Sequence, residues 1–281
     1  MSKAKEIVMA KSMEEALDYL QNENTIPLAA GTDIVPALRD GLLPEISLVD
    51  LHHLSNELND IKYQDGCIHI GAMATHAEIS RYPDVMAKIP MLAYACGLIG
   101  SAQIRNRATI GGNIGNASPA ADSVPVLVAA GSEVEFRTKD EKRTMLLADF
   151  MVAPRKTELP RGALITKIIV PIPEGGWKGG YYKVGGRTSL TIAIVSCALL
   201  YNKKAGCRVA YGSMSPRIRR IGELEKFLSQ SKTQKQFQEK VGGLLSPISD
   251  VRASADYRLT VAANLLFQGW YELQQNTSCN E

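Results

Sequence analysis

The sequence has little with which to build a metal site or a disulfide scaffold. Its 281 residues include five Cys (67, 96, 197, 207 and 279) and four His (52, 53, 69 and 76). No two Cys form a C-x-x-C pair, and no two His stand four apart, which argues against zinc or iron–sulfur ligation by this chain. Each His reads as a surface or half-buried polar residue, and each Cys as a small hydrophobe. An odd, unpatterned Cys count and an N-terminus that leads into no signal-type apolar core suit reduced thiols, so the expected location is the cytoplasm. Charge of one sign is also scarce. Lys and Arg number 32 against 29 Asp and Glu, and a net charge of +3 implies neither nucleic acid nor an anionic membrane as partner. The apolar run at residues 192–201 is broken by Ser196 and falls far short of the roughly 20 residues of a membrane span. There is no G-x-x-x-x-G-K-[ST], no G-x-G-x-x-G after a strand and no G-x-S-x-G, so a P-loop, a Rossmann site and a nucleophile elbow are all unsupported.

What is present is an ordinary globular balance, 45% hydrophobic and 22% charged, in a chain long enough for two or three domains. We divide it at 1–58, 59–173 and 176–281. In the first segment Ser12 and Glu15 form a capping box ahead of a helix whose inner face is Met13, Ala16, Leu17 and Leu20. Residues 26–30 and 47–51 read as buried strands, with a short helix over 34–43 between them. In the second segment Gln64-Asp65-Gly66 marks a hairpin. Thr75 and Glu78 open a short helix that ends near Pro83, and 91–99 and 124–130 read as buried helices. Strands are expected at 133–137 and 164–171. In the third segment Gly-Gly pairs at 175–176, 179–180 and 185–186 read as linker and turns. Strands at 192–202 and 208–213 and helices at 223–229 and 257–268 follow.

The densest stretch is Thr109-Ile110-Gly111-Gly112-Asn113-Ile114-Gly115-Asn116-Ala117-Ser118. Its glycines would let the backbone reach positive φ and approach a ligand closely, and successive amides would form an anion-binding nest. This reads as a loop cradling a pyrophosphate without Lys. A second strand-to-turn element, Leu28-Ala29-Ala30-Gly31-Thr32-Asp33, supports a shared diphosphate ligand. Asp122 could accept from a ribityl or ribose hydroxyl, or cap the following helix. Arg105 and Arg107 could clamp a phosphate but read more readily as solvated or interface cations, and Lys183 and Arg187 read either as partners of the flavin or a phosphate or as a surface salt bridge.

These motifs, together with Gln103-Ile104-Arg105-Asn106-Arg107, Tyr182-Lys183-Val184-Gly185-Gly186-Arg187 and a D-x-R-x-x-x-x-Y-R pattern at Asp250, Arg252, Tyr257 and Arg258, resemble the FAD-binding subunit of molybdenum hydroxylases. This is the group of xanthine, carbon monoxide and nicotinate dehydrogenases, and the resemblance covers nearly the whole chain. It implies an α+β protein: a two-part FAD-binding domain of the vanillyl-alcohol-oxidase (PCMH) type, then a C-terminal domain of antiparallel sheet and helices. It implies FAD contacts at Pro27, Leu28, Ala29, Ala30, Gly31, Thr32, Asp33 and Ile34. A second set is Thr109, Ile110, Gly111, Gly112 and Asn113, with Asp122, Ile165 and Lys183 beyond it. Ile99 matches a position beside the flavin. Ala30 replaces the first Gly of the family's A-G-G-T-D, so a small adjustment of that turn is expected.

Neither glycine loop holds a His or Cys for a covalent link, so the FAD is expected to be non-covalent. The resemblance further implies NAD⁺ or another electron acceptor, and [2Fe-2S] and molybdopterin carried by two partner chains in a heterotrimer or a dimer of heterotrimers. A xanthine dehydrogenase is the leading expectation for the whole complex. Nicotinate, carbon monoxide and other heterocycle or aldehyde dehydrogenases are alternatives. So are a self-contained FAD oxidase and a non-catalytic scaffold that has lost flavin. Arg105, Arg107 or the turn at 183–188 is expected to border the face toward the iron–sulfur chain.

Overall fold

The computed structural model describes residues 4–187, 190–228 and 233–278. Thr188, Ser229 and Cys279, which the sequence reading touched, lie outside them. A parallel sheet of β1 (Glu6–Met9), β2 (Thr25–Leu28) and β3 (Ser47–Asp50), in the order β1-β3-β2, comes first. The strand β1 escaped the sequence reading. Ile7 and Met9 both point outward, so no buried stripe betrays it. The helix Met13–Tyr19 buries the expected face, and Ser12 accepts from the Glu15 amide. The Glu15 carboxylate, however, reaches back to the Lys11 amide rather than to that of Ser12.

An antiparallel sheet follows: β4 (Ile61–Gln64), β5 (Cys67–Gly71), β6 (Glu133–Arg137) and β7 (Lys142–Leu146). A small ribbon, β8 (Met151–Ala153) with β9 (Lys156–Thr157), precedes β10 (Leu164–Pro171). That strand returns to the centre of the sheet, in the order β4-β5-β10-β6-β7. Asp65 and Gly66 both take positive φ, 52° and 74°, as the two-residue hairpin turn requires. The Thr75–Glu78 capping box is complete and starts the helix His76–Arg81.

The third sheet is β11 (Lys178–Gly185), β12 (Ala193–Asn202) and β13 (Gly206–Gly212), antiparallel in that order. Gly179 and Gly180 therefore lie in a strand, not in a turn, which corrects the reading of the Gly-Gly pairs. A Cβ at Gly180 would sit 2.6 Å from the Tyr182 hydroxyl, so the side chain is missing for want of room. Both faces of this sheet are buried. Val195, Cys197, Leu199, Val209 and Tyr211 meet Phe237, Leu266 and Trp270 from the helices Gln234–Gly242 and Ala255–Ser278. Tyr181, Ala198, Leu200 and Ala210 face the other way, into the core that contains the helix Ser123–Ala130. A strand buried on both sides carries a continuous apolar run, as β12 does. The D-x-R-x-x-x-x-Y-R pattern is structural. The buried Arg258 guanidinium donates to Asp250 at 2.8 Å and to the Ile194 and Ser213 carbonyls.

Candidate functional site

Two chain segments face each other across a cleft of about 590 Å³, a volume suited to a cofactor. The first leaves the end of β2. Gly31 turns the chain at φ +72°, and Asp33 precedes the helix Ile34–Arg39 without capping it by its side chain. The amides of Ala30, Gly31, Thr32, Asp33 and Ile34 find no acceptor among the described residues. Successive unpaired amides of this kind form a nest for an anion. Ala30 has no positive φ, so the expected adjustment of the turn is not needed.

The second segment departs from the sequence reading. Residues 110–116 form a helix, Ile110–Asn116, and not a loop. Thr109 caps it, accepting from the Gly112 amide at 3.2 Å. The Ile110 amide donates to the Ala74 carbonyl at 3.0 Å, and that of Gly111 to the Ala72 carbonyl at 2.9 Å. The first-turn amides are thus already used, and the nest belongs to the Ala30–Ile34 segment instead. None of Gly111, Gly112 and Gly115 has positive φ. Gly111 is required by close approach: a Cβ there would lie 2.6 Å from the Ala72 Cβ. Gly112 faces the cleft. The Asn113 carbonyl oxygen accepts from the Ser123 hydroxyl at 2.9 Å, which turns its NH₂ group away from Ser123 as a side-chain donor.

Of the expected contacts, Pro27, Ala29, Ala30, Gly31, Thr32, Asp33 and Ile34 line this cleft on one side. Thr109, Gly111, Gly112 and Asn113 line the other, with Ile99 and Ile165 on the apolar floor. Four expected residues do not line it. Leu28 packs in the small core beside the first sheet, and Ile110 is fully buried. Asp122 and Lys183 instead pair with each other. Lys183 Nζ donates to Asp122 Oδ2 at 2.6 Å, and the Tyr181 hydroxyl donates to Oδ1 at 2.7 Å. Asp122 makes no side-chain helix cap, because both its oxygens are bound to β11. Burial is the largest influence on this carboxyl and holds it above the usual carboxylate range, against the pull of Lys183 and the two hydrogen bonds.

Lys183 lines a second cleft of about 620 Å³, together with Tyr94, Leu98, Arg105 and Arg187. The wall between the clefts is the segment around Ile99 and Gly100. Arg105 holds it by donating to both their carbonyls, at 3.1 and 2.8 Å. Arg105 is thus a brace in this structure.

Two cleft residues were missed. Arg155 donates to Asn116 Oδ1 at 3.1 Å and to Asp33 Oδ2 at 3.4 Å, tying the two walls together. It comes from the β8–β9 turn, a ribbon too short to read from sequence. His76 was expected as a surface or half-buried polar residue but is fully buried. Its inward position follows from the helix start at Thr75, which puts it on the same face as buried Ile79.

The donor set comprises free amides, one amide side chain and one guanidinium above an apolar floor. It fits a dinucleotide diphosphate with an aromatic ring. A family model described as "FAD binding domain in molybdopterin dehydrogenase" matches residues 3–173. A second, described as "CO dehydrogenase flavoprotein C-terminal domain", matches residues 180–273. The chain belongs to the FAD-binding subunits of the molybdenum hydroxylases. Among relatives of this FAD subunit, the glyceraldehyde dehydrogenase medium chain of Sulfolobus acidocaldarius is 33% identical over 274 residues, 95% of this chain and 97% of its own. The xanthine dehydrogenase FAD-binding subunit of Escherichia coli O157:H7 is 26% identical over 260 residues, covering 89% of each chain. In fold, the FAD subunit matches a chain of quinoline 2-oxidoreductase from Pseudomonas putida 86 with a TM-score of 0.90, at 24% identity over 98% of this chain and 99% of that one.

Proposed function

We propose that the chain is the electron-transfer subunit of a heterotrimeric molybdenum hydroxylase, with one partner carrying [2Fe-2S] clusters and another the molybdopterin. Bound FAD would supply the redox chemistry, taking electrons from the clusters and delivering them to NAD⁺ or another acceptor. This chain's residues bind and orient. The observation that carries the reading is the row of unpaired amides, Ala30–Ile34, opposite Asn113 and Arg155 across the cleft. The amides and Arg155 would hold the diphosphate oxygens, and Asn113 would donate from the other wall. Ile99, Ile104, Leu164 and Ile165 would exclude water along the apolar floor. The Lys183–Asp122 pair would place a fixed charge pair beside the second cleft, where Arg105 and Arg187 suit the approach of an anionic acceptor such as NAD⁺.

The substrate is oxidised on a partner chain, so no residue here selects it. Relatives named for glyceraldehyde and for xanthine support an aldehyde or an N-heterocycle, with xanthine retained from the sequence reading. The FAD-loaded chain alone is expected to show at most electron transfer from NADH to a dye and to hydroxylate neither xanthine nor an aldehyde. Hydroxylation should appear on adding the iron–sulfur and molybdenum chains, and mass spectrometry of co-purifying chains would name the substrate. Hydroxylation by the single chain, shown free of metals and partners, would refute the proposal.

A further inference from the structure

His76 is the first residue of the helix His76–Arg81, and its backbone is pinned from two sides. Its amide donates to the Ala108 carbonyl at 3.0 Å, and the neighbouring Thr75 bridges to Thr109. The imidazole is therefore held beside the start of the Ile110–Asn116 wall. It is 0% exposed, yet it lines the cleft. Both ring nitrogens lack a hydrogen-bond partner. Buried polar atoms are almost always paired, and leaving them unpaired costs stability, so a fully orphaned imidazole facing a binding cleft calls for a ligand. No side-chain oxygen among the described residues pairs with either nitrogen. Burial pushes its pKa down to about 4, with no charged group contributing. At neutral pH the ring thus offers one N–H donor and one lone pair.

We infer that His76 becomes a direct contact of the bound FAD, its neutral ring turning out of its fully buried position to hydrogen-bond to a hydroxyl or phosphate oxygen of the cofactor where it passes Thr109. A hydroxyl can pair with either ring nitrogen, donating to the bare one or accepting from the N–H, whereas a phosphate oxygen takes only the N–H. This inference rests on the FAD reading above.

The test uses the full chain, stripped of flavin and titrated with FAD, FMN and ADP. His76→Leu removes the polar atoms at similar volume, and His76→Gln keeps a donor and an acceptor. His76→Leu should weaken FAD binding about tenfold, the loss of one buried hydrogen bond, while the flavin-free protein melts no lower than wild type because an unpaired group has gone. His76→Gln should recover part of the affinity. A penalty with FMN but not ADP would put the contact on the ribityl side, and the reverse would put it on the adenosine side. The His76 ring ¹⁵N signals of the wild type should move when FAD is added, and this readout stands even if His76→Leu does not fold. Equal FAD affinity in His76→Leu, or unmoved ring signals, would overturn the inference. Failure of the wild type to bind FAD would overturn the FAD reading itself.

Discussion

Gly111→Ala and Gly112→Ala change adjacent residues of one helix and should fail in different ways. At Gly111 the new methyl would lie 2.6 Å from the Ala72 Cβ and 2.8 Å from the Ala72 carbonyl oxygen. Ordinary carbon contacts are about 3.5–4.0 Å, so the helix must retreat by about 1 Å. Overpacking of this kind costs about 1–3 kcal/mol. The retreat also stretches the Gly111 N–H bond to Ala72, worth about 1 kcal/mol. Replacing Gly by Ala in a helix returns about 1 kcal/mol. The net loss is about 1–3 kcal/mol, or roughly 2–5 °C in melting temperature for a chain of this size. At Gly112 a methyl meets only the Thr109 hydroxyl, at 3.0 Å, and otherwise projects into the cleft. Its stability should stay within about 1 kcal/mol of wild type while FAD affinity falls. Calorimetry of the flavin-free variants and flavin titration separate the two. A Gly111→Ala protein melting at the wild-type temperature would refute the close approach, and a Gly112→Ala protein binding FAD unchanged would show that this wall does not meet the cofactor.

Asn113→Asp keeps the acceptor for Ser123 but replaces the NH₂ with an anion, and flavin titration should show a larger loss of FAD affinity than for Gly112→Ala. Asp122→Asn strips the counter-ion from a buried lysine and should cost about 3–5 kcal/mol in denaturant unfolding, with Asp122→Leu/Lys183→Met recovering most of it. His76 has a folded pKa of about 4 against 6.5 when free, so the unfolded chain binds the proton that the folded one refuses. The stability of the flavin-free protein should therefore be full above pH 6.5 and fall toward pH 4, by about 3 kcal/mol in all, and His76→Leu should lack this component of the pH curve. Acid precipitation should release the flavin into the supernatant, and colour held in the pellet would mean a covalent link.

Local signals that satisfy their own backbone were legible in the sequence. The Thr75–Glu78 box and the Asp65-Gly66 turn each depend on residues within a few positions. What was not legible depends on distant partners. The Thr109–Asn116 run has poor helix formers, and its amides are claimed by Ala72 and Ala74 across the fold, so its composition suggested a loop where packing makes a helix. Both segments read as ligand loops line the cleft, but among the described residues the row of unpaired amides belongs to one of them. The unpaired amides lie in the plainer Ala30–Ile34 stretch, because no acceptor among the described residues reaches them. Asp122 was recognised as important through resemblance, while its partners Tyr181 and Lys183 stand about sixty positions away and come into view only with β11 in place.

The two-sided burial of the third sheet bears on how the protein is made. During synthesis residues 4–171 emerge first, with the helix Ser123–Ala130 still uncovered and Asp122 without either partner. Only when β11, β12 and β13 have left the ribosome can Tyr181, Ala198 and Ala210 close over it. A fragment cut between β10 and β11 would keep every wall of the first cleft and yet expose a helix built of Val, Leu and Ala. Such a fragment is a poor candidate for a stand-alone flavin module, and nicking the chain near Gly175 should leave two pieces that stay together until denatured.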